Sequence, residues 1–195
     1  MQKNKINLII ISGPSGSGKT TACNFLVSNY SNLVYYKNQL TTRKPRIGEG
    51  KDGAYKSIPL KEFNKLLKQK EIIIKTKFAG NYYGYKHTFL KELENANNGG
   101  KVFVIDSIQP IKNWKKFEEK YFKKMATIFL FSDIDLLRER IAKRQNIDKK
   151  NLEVRLKHAK EILKEKKLYN YKIKTNKLDK IDDKLKIIVE KIIRI

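Results

Sequence analysis

The stretch Gly13-Pro14-Ser15-Gly16-Ser17-Gly18-Lys19-Thr20 constrains this chain most. It follows the apolar run Leu8-Ile9-Ile10-Ile11 and opens a helical pattern from Lys19 to Asn29. It fits G-x-x-x-x-G-K-[ST] at every fixed position. Glycines at these places let successive backbone N–H groups turn inward around an anion, and the helix N-terminus adds partial positive charge. The pattern predicts a strand–loop–helix unit that cradles the phosphates of a nucleoside triphosphate with residues Gly13 to Thr21. Lys19 is expected to reach the β- and γ-phosphates, and the Thr20 hydroxyl to ligate Mg²⁺.

The remaining periodicity fits a sheet built around such a unit. Buried strands are expected over 7–12, 33–37, 102–106, 126–131 and 171–175, and helices over 19–29, 88–97, 111–124 and 179–193. Residues 133–167 read as helical with one interruption near 145–148. Strands alternating with helices at both ends of the chain argue for a parallel sheet covered on both faces. The alternation breaks over 38–86, where a helix begins near Pro59, Ile72-Ile73-Ile74 forms a strand, and 81–85 is a strand or a turn. This segment reads as a small inserted lobe within a single α/β domain. Val102-Phe103-Val104-Ile105 ends in Asp106, and a carboxylate at the C-terminal end of a buried strand faces the bound metal in folds of this kind.

Composition narrows the setting. With 195 residues and 40% apolar side chains, the chain can bury a core without staples. The single cysteine, Cys23, excludes an internal disulfide and a Cys-based zinc site, and suits a reducing, cytoplasmic setting. The apolar run near the start is too short for a signal-peptide core or a membrane span. The net charge of +24 suits an anionic ligand, but the lysines are scattered, which fits a general lysine bias better than a polynucleotide groove. Arginine is more telling. Of seven arginines, six fall within 43–46 and 138–155, and the planar guanidinium grips paired phosphate oxygens as an ammonium cannot.

Beyond the loop, Thr41-Thr42-Arg43-Lys44-Pro45-Arg46-Ile47-Gly48-Glu49, with Gly53 and Tyr55 after it, and Gly80-Asn81-Tyr82-Tyr83-Gly84 are similar to two specific segments of guanylate kinases. On these motifs the chain resembles that family of P-loop nucleoside monophosphate kinases over nearly its whole length. The resemblance implies a three-layer P-loop core with a parallel sheet (1–37, 87–132 and 149–195), a mixed monophosphate-binding lobe (38–86) and a short helical lid (133–148). It implies ATP as phosphoryl donor with Mg²⁺ held at Thr20 and Asp106. Arg43, Arg46, Tyr55 and Tyr83 would hold the acceptor's phosphate. Arg140, Arg144 and Arg155 would close on the transferring group, with Lys19, Asp106 and Arg43 completing the catalytic set. Trp114 is expected to be a packed aromatic, Cys23 buried and inert, and His87 and His158 surface or helix residues without partners.

The chain departs from that family where the acceptor's base is read. The family meets guanine's N1–H and N2–H₂ donors with acidic side chains. One such position, counted back from Gly80, is Ile74, and the other, two residues after Asp106, is Ile108. Glu71 lies three residues from the first and points to the other strand face. The small hydroxyl residue after the Gly84 motif is Tyr85. Phosphoryl transfer to GMP or dGMP is the activity the resemblance implies. Transfer to another monophosphate or a sugar phosphate, and a non-catalytic module of the same fold, stand as alternatives.

Overall fold

The computed structural model describes residues 6–36, 39–45, 55–121, 124–143, 148–177 and 181–193. β1 (Leu8–Ser12) runs into the loop and α1 (Lys19–Asn29), and β2 (Val34–Tyr36) follows. Two short strands, β3 (Gln39–Thr41) and β4 (Tyr55–Ser57), precede α2 (Leu60–Lys68), and the longer β5 (Ile72–Phe78) and β6 (Asn81–Lys86) complete that group. The alternation then resumes with α3 (Thr88–Asn98), β7 (Val102–Asp106), α4 (Ile111–Tyr121), β8 (Met125–Phe131), α5 (Ile134–Ala142), α6 (Lys149–Lys164), β9 (Tyr171–Lys174) and α7 (Ile181–Ile193).

The elements form two sheets. One has the order β2-β7-β1-β8-β9 and is parallel throughout, with β1 at its centre. Alternate side chains serve its two faces. Ile9, Ile11, Val104 and Leu130 pack with Ala22 and Leu26 of α1 and with Leu185 and Val189 of α7. Leu8, Ile10, Phe103 and Phe129 pack with Phe89 and Leu93 of α3 and with Trp114 and Phe117 of α4. This is the doubly covered α/β core the alternation predicts. Asp106 continues the alternation of Val102 and Val104, so its carboxylate falls on the face that carries α1.

The second sheet has the order β4-β3-β6-β5 and is mixed. Two cross-strand rows organise it. Ser57, Thr41, Tyr83 and Thr76 pair along one; in the other Tyr55 pairs with Gln39 and Tyr85 with Ile74, and continuing the β3–β6 register one step past Leu40–Gly84 sets Gln39 towards Tyr85. Leu40 and Tyr82 turn the other way and pack with Phe63 of α2. Gly84 sits where a Cβ would meet Ile72 at 2.9 Å and the carbonyl of Ile74 at 3.0 Å, so only glycine lets α2 and β5 close on β6. The β5–β6 hairpin turns through Ala79 and Gly80, both at positive φ, the conformation a two-residue hairpin needs to match the strands' twist.

Several elements differ from the sequence expectation. β5 runs on to Phe78 because Lys75, Thr76 and Lys77, polar and partly exposed, are paired in register with β6, which backbone bonding decides and apolar patterning does not show. The 81–85 segment is a strand, and 39–41 adds one too short to carry a periodic signal. Of the helix expected over 111–124, Ile111–Tyr121 is helical, Lys124 is not, and 122–123 lie outside the described residues. The long helical stretch is divided into α5 and α6, as the expected interruption has it, and α6 is capped by Asp148, whose carboxylate accepts from the Asn151 N–H at 2.7 Å. No helix among the described residues is long and apolar enough to cross a membrane.

Candidate active site

The glycine-rich loop leaves the C-terminal end of the central strand. Gly13 is forced by close approach, because a Cβ there would lie 2.1 Å from the Leu130 carbonyl oxygen. Gly18, at φ 90°, turns the chain into α1. Lys19 folds over its own loop, with Nζ donating to the carbonyls of Gly13 at 3.1 Å and Pro14 at 3.2 Å. The Thr20 hydroxyl donates to Asp106 Oδ2 at 2.9 Å, which joins the loop helix to the end of β7. Asp106 is 2% exposed.

Residues from the second sheet face this loop. Gly13, Ser15, Lys19, Thr20, Arg43, Tyr55, Tyr83, Asp106 and Arg155 line one cleft of about 120 Å³, with Gly16, Gly18 and Thr21 beside them. Arg43 is held on a pinned turn. Its N–H donates to Thr41 Oγ1 at 3.1 Å, its carbonyl accepts from the Ser57 hydroxyl, and Thr42 Oγ1 accepts from the Tyr82 N–H at 2.9 Å. The Arg43 guanidinium lies 5.4 Å from the Tyr55 ring centre, and Tyr55 meets Tyr83 edge to face at 5.7 Å. The Tyr55 hydroxyl points at Asp106 Oδ1, 3.5 Å away. Burial first, and then the Asp106 charge, push the Tyr55 phenol well above its ordinary value, so it acts as a neutral donor.

The arginines divide. Arg155 is 7% exposed and donates to Ser15 Oγ at 3.2 Å, with its guanidinium 5.5 Å from the Phe78 ring centre. Arg140 stands behind the loop instead of in the cleft. It donates to the carbonyls of Gly16 (3.3 Å), Thr175 (2.8 Å) and Asn176 (3.2 Å) and to Ser132 Oγ (3.0 Å). In this arrangement it ties the back of the loop to the end of β9 and is not among the cleft-lining residues. Arg46 and Arg144, with the glycines and Glu49 of the 46–54 segment, lie outside the described residues.

Sequence reasoning missed His158. It lines the cleft, and its ring sits 4.4 Å from that of Phe78, which joins the tip of the β5–β6 hairpin to α6. The signal was present only as one helical turn, since His158 follows Arg155 by three positions and shares its face. Burial, and then the nearby charges of Lys19 and Arg155, hold its imidazole below the ordinary range, against an opposing pull from Glu161. Other expectations hold. Trp114 is buried and donates to Ser107 Oγ at 2.6 Å, and Cys23 is buried with its thiol pushed well up by desolvation.

The two positions expected to face the acceptor's base carry no acid. Ile74 is buried in the core with Tyr85 and Phe89, and Ile108 lines the cleft. A register shift does lie between Ile72 and Ile74, yet Glu71 is engaged elsewhere, paired with Lys86 at 3.0 Å on the surface.

Thr20 and Asp106 present the hard oxygen donors a magnesium ion takes, and such an ion is normally shared with phosphate oxygens. Among the described residues no three His, Cys, Asp or Glu side chains cluster.

A central parallel strand feeding a phosphate loop, with a strand-end carboxylate beside it, defines a P-loop α/β kinase fold. The family model "Guanylate kinase" matches residues 5–192. The guanylate kinase of Campylobacter jejuni strain RM1221 is 32% identical over 183 residues, covering 93% of this chain and 87% of that protein. The guanylate kinase of Caldanaerobacter subterraneus is 34% identical over 186 residues, covering 93% and 85%. The crystal structure of guanylate kinase from Anaplasma phagocytophilum shares the fold with a TM-score of 0.70 at 23% identity, over 96% of this chain and 85% of that one. The chain belongs to the guanylate kinase family, a family of ATP-dependent phosphotransferases.

Proposed function

We propose that the chain is a nucleoside monophosphate kinase that moves the γ-phosphoryl group of Mg·ATP onto the phosphate of GMP, dGMP or a related monophosphate. The observation that carries this is a single cleft in which Lys19 and the Thr20–Asp106 pair face Arg43, Tyr55 and Tyr83. In the reaction an acceptor phosphate oxygen bonds to the γ-phosphorus, the bond to ADP's oxygen breaks, and a nucleoside diphosphate and ADP leave. Little covalent help is needed, so alignment and charge neutralisation do most of the work.

Loop N–H groups and Lys19 hold the donor's phosphates. Thr20 and Asp106 would hold a magnesium ion, which would supply charge neutralisation for the donor's phosphates. Arg43 and Arg46, with the hydroxyls of Tyr55 and Tyr83, hold the acceptor's phosphate. Arg155, already beside the loop at Ser15, and Arg144 stabilise the transferring group, while Arg140 positions the loop from behind. The 38–86 lobe and the 133–148 lid close over the substrates and exclude water, which would otherwise take the phosphoryl group.

The test is transfer from γ-labelled Mg·ATP in the presence of GMP. Label in GDP, abolished by Lys19→Ala, is expected. Label released only as free phosphate, or transfer indifferent to Lys19→Ala, overturns the proposal.

A further inference from the structure

Gln39 is fully buried, yet neither its amide oxygen nor its amide nitrogen has a hydrogen-bond partner among the described residues, and the Tyr85 hydroxyl is likewise buried and unpartnered among them. A buried amide left so loses its hydration without recompense, and native structures rarely tolerate it unless a ligand or ordered water completes it. The place is specific. Gln39 sits in register with Tyr55 on β4, and one step back along the β3–β6 ladder from Leu40–Gly84 sets it opposite Tyr85, itself paired with Ile74. The row Tyr55–Gln39–Tyr85–Ile74 lies one step from the row holding Tyr83. It therefore adjoins the proposed acceptor-phosphate grip on the same face of the small sheet.

We infer that Gln39, with the Tyr85 hydroxyl, reads the base of the acceptor monophosphate, and that the 2-amino group of guanine goes unread. This rests on the phosphotransferase reading above. A carboxylate offers acceptors only and so demands two adjacent donors, N1–H and N2–H₂ of guanine. An amide offers one acceptor beside one donor. It pairs with N1–H and O6, which guanine and hypoxanthine present alike. The residues that would complete an acid reading are Ile74 and Ile108, which accept nothing. The amide is enclosed here, so base access to Gln39 requires the small sheet to move away from the core. GMP and IMP are therefore equivalent acceptors, whereas a site built to bond the 2-amino group rejects IMP strongly.

The experiment measures ADP formation from Mg·ATP with GMP and with IMP for the wild type, Gln39→Leu and Gln39→Glu, alongside thermal melting. The wild type is expected to use GMP and IMP within about threefold of each other. Losing both amide bonds in Gln39→Leu should raise the acceptor KM about tenfold or more, with the KM for ATP unchanged. The melting temperature should hold or rise, because an orphaned buried amide has been replaced by an apolar group of similar size. Gln39→Glu should restore a preference for GMP over IMP of about tenfold.

A structural amide predicts the reverse: Gln39→Leu would lower the melting temperature and leave the acceptor KM alone, which overturns the inference. A wild-type preference for GMP over IMP of a hundredfold also overturns it, while leaving the kinase reading intact. If neither monophosphate is phosphorylated, the kinase reading falls, and this inference falls with it. Should Gln39→Leu not fold, the GMP-to-IMP ratio of the wild type and of Gln39→Glu decides alone.

Discussion

The loop side of the cleft and the small-sheet side are built from different chemistry. On the loop side Lys19, Arg155, the loop N–H groups and the Thr20–Asp106 pair gather fixed charge around a space the size of phosphate groups. Across the cleft, the turn holding Arg43 and the Tyr55 and Tyr83 hydroxyls beside it are the polar groups that face that charge. One step further, at Tyr55–Gln39–Tyr85–Ile74, charge disappears and the groups are an amide, phenols and an aliphatic side chain. A phosphate is the same anion in every nucleotide, so the residues that grip it are dictated by chemistry. A base differs from one nucleotide to the next, and its readers are a choice particular to this chain.

Substitutions on the loop side should sharpen the contrast most. Lys19→Ala and Asp106→Asn are each expected to cut kcat by about 10²–10³-fold at unchanged melting temperature, as removal of a preorganised charge-stabilising group does. Wild-type turnover from either, at normal stability, would refute its role. Next is Arg43→Lys, which keeps the charge and loses the planar fork. The acceptor KM should rise about tenfold with the KM for ATP unchanged, checked by steady-state kinetics in both substrates. On the base side, Ile108→Asp adds an acceptor at a cleft-lining position. It should tilt the GMP-to-IMP preference towards GMP by about tenfold and leave kcat within a few-fold.

The smallest effect concerns the latch of His158 on Phe78. The folded imidazole titrates below its ordinary value near 6.5, so on acidification the unfolded chain takes up a proton before the folded one does. Stability should therefore rise with pH across the window between the depressed value and about 6.5, and the dependence should vanish above it. His158→Gln should flatten that limb in thermal melts from pH 5 to 7. An unchanged slope would mean the ring is not held neutral.

The contrast also explains what was legible in the sequence. The loop motif, the apolar runs of β1, β7 and β8 and the strand-end Asp106 gave the parallel core and one wall of the cleft, because period and glycine spacing encode them directly. Arg43, Tyr55 and Tyr83 were legible through resemblance, and the structure shows how Thr41, Thr42 and Ser57 pin the turn that carries Arg43. Gln39 was not legible. It lies on a three-residue strand, and its burial is set by the neighbouring strands Tyr55 and Tyr85 belong to, which no local pattern announces. The placement of Arg140 was not legible for a related reason. Its spacing places it near the loop, but whether it faces the cleft or the carbonyls of Gly16 and Thr175 is fixed by the packing of α5 against the loop's reverse side.

One measurement tests the account at its centre: initial rates of ADP formation from Mg·ATP, with GMP, dGMP, IMP, AMP, CMP, UMP and dTMP offered singly over a range of concentrations. Turnover that requires a monophosphate, with GMP and IMP giving nearly equal kcat/KM, is the predicted result. A strong preference for GMP over IMP would contradict the base side of the comparison, and no monophosphate-dependent ADP from protein that binds ATP would contradict the whole.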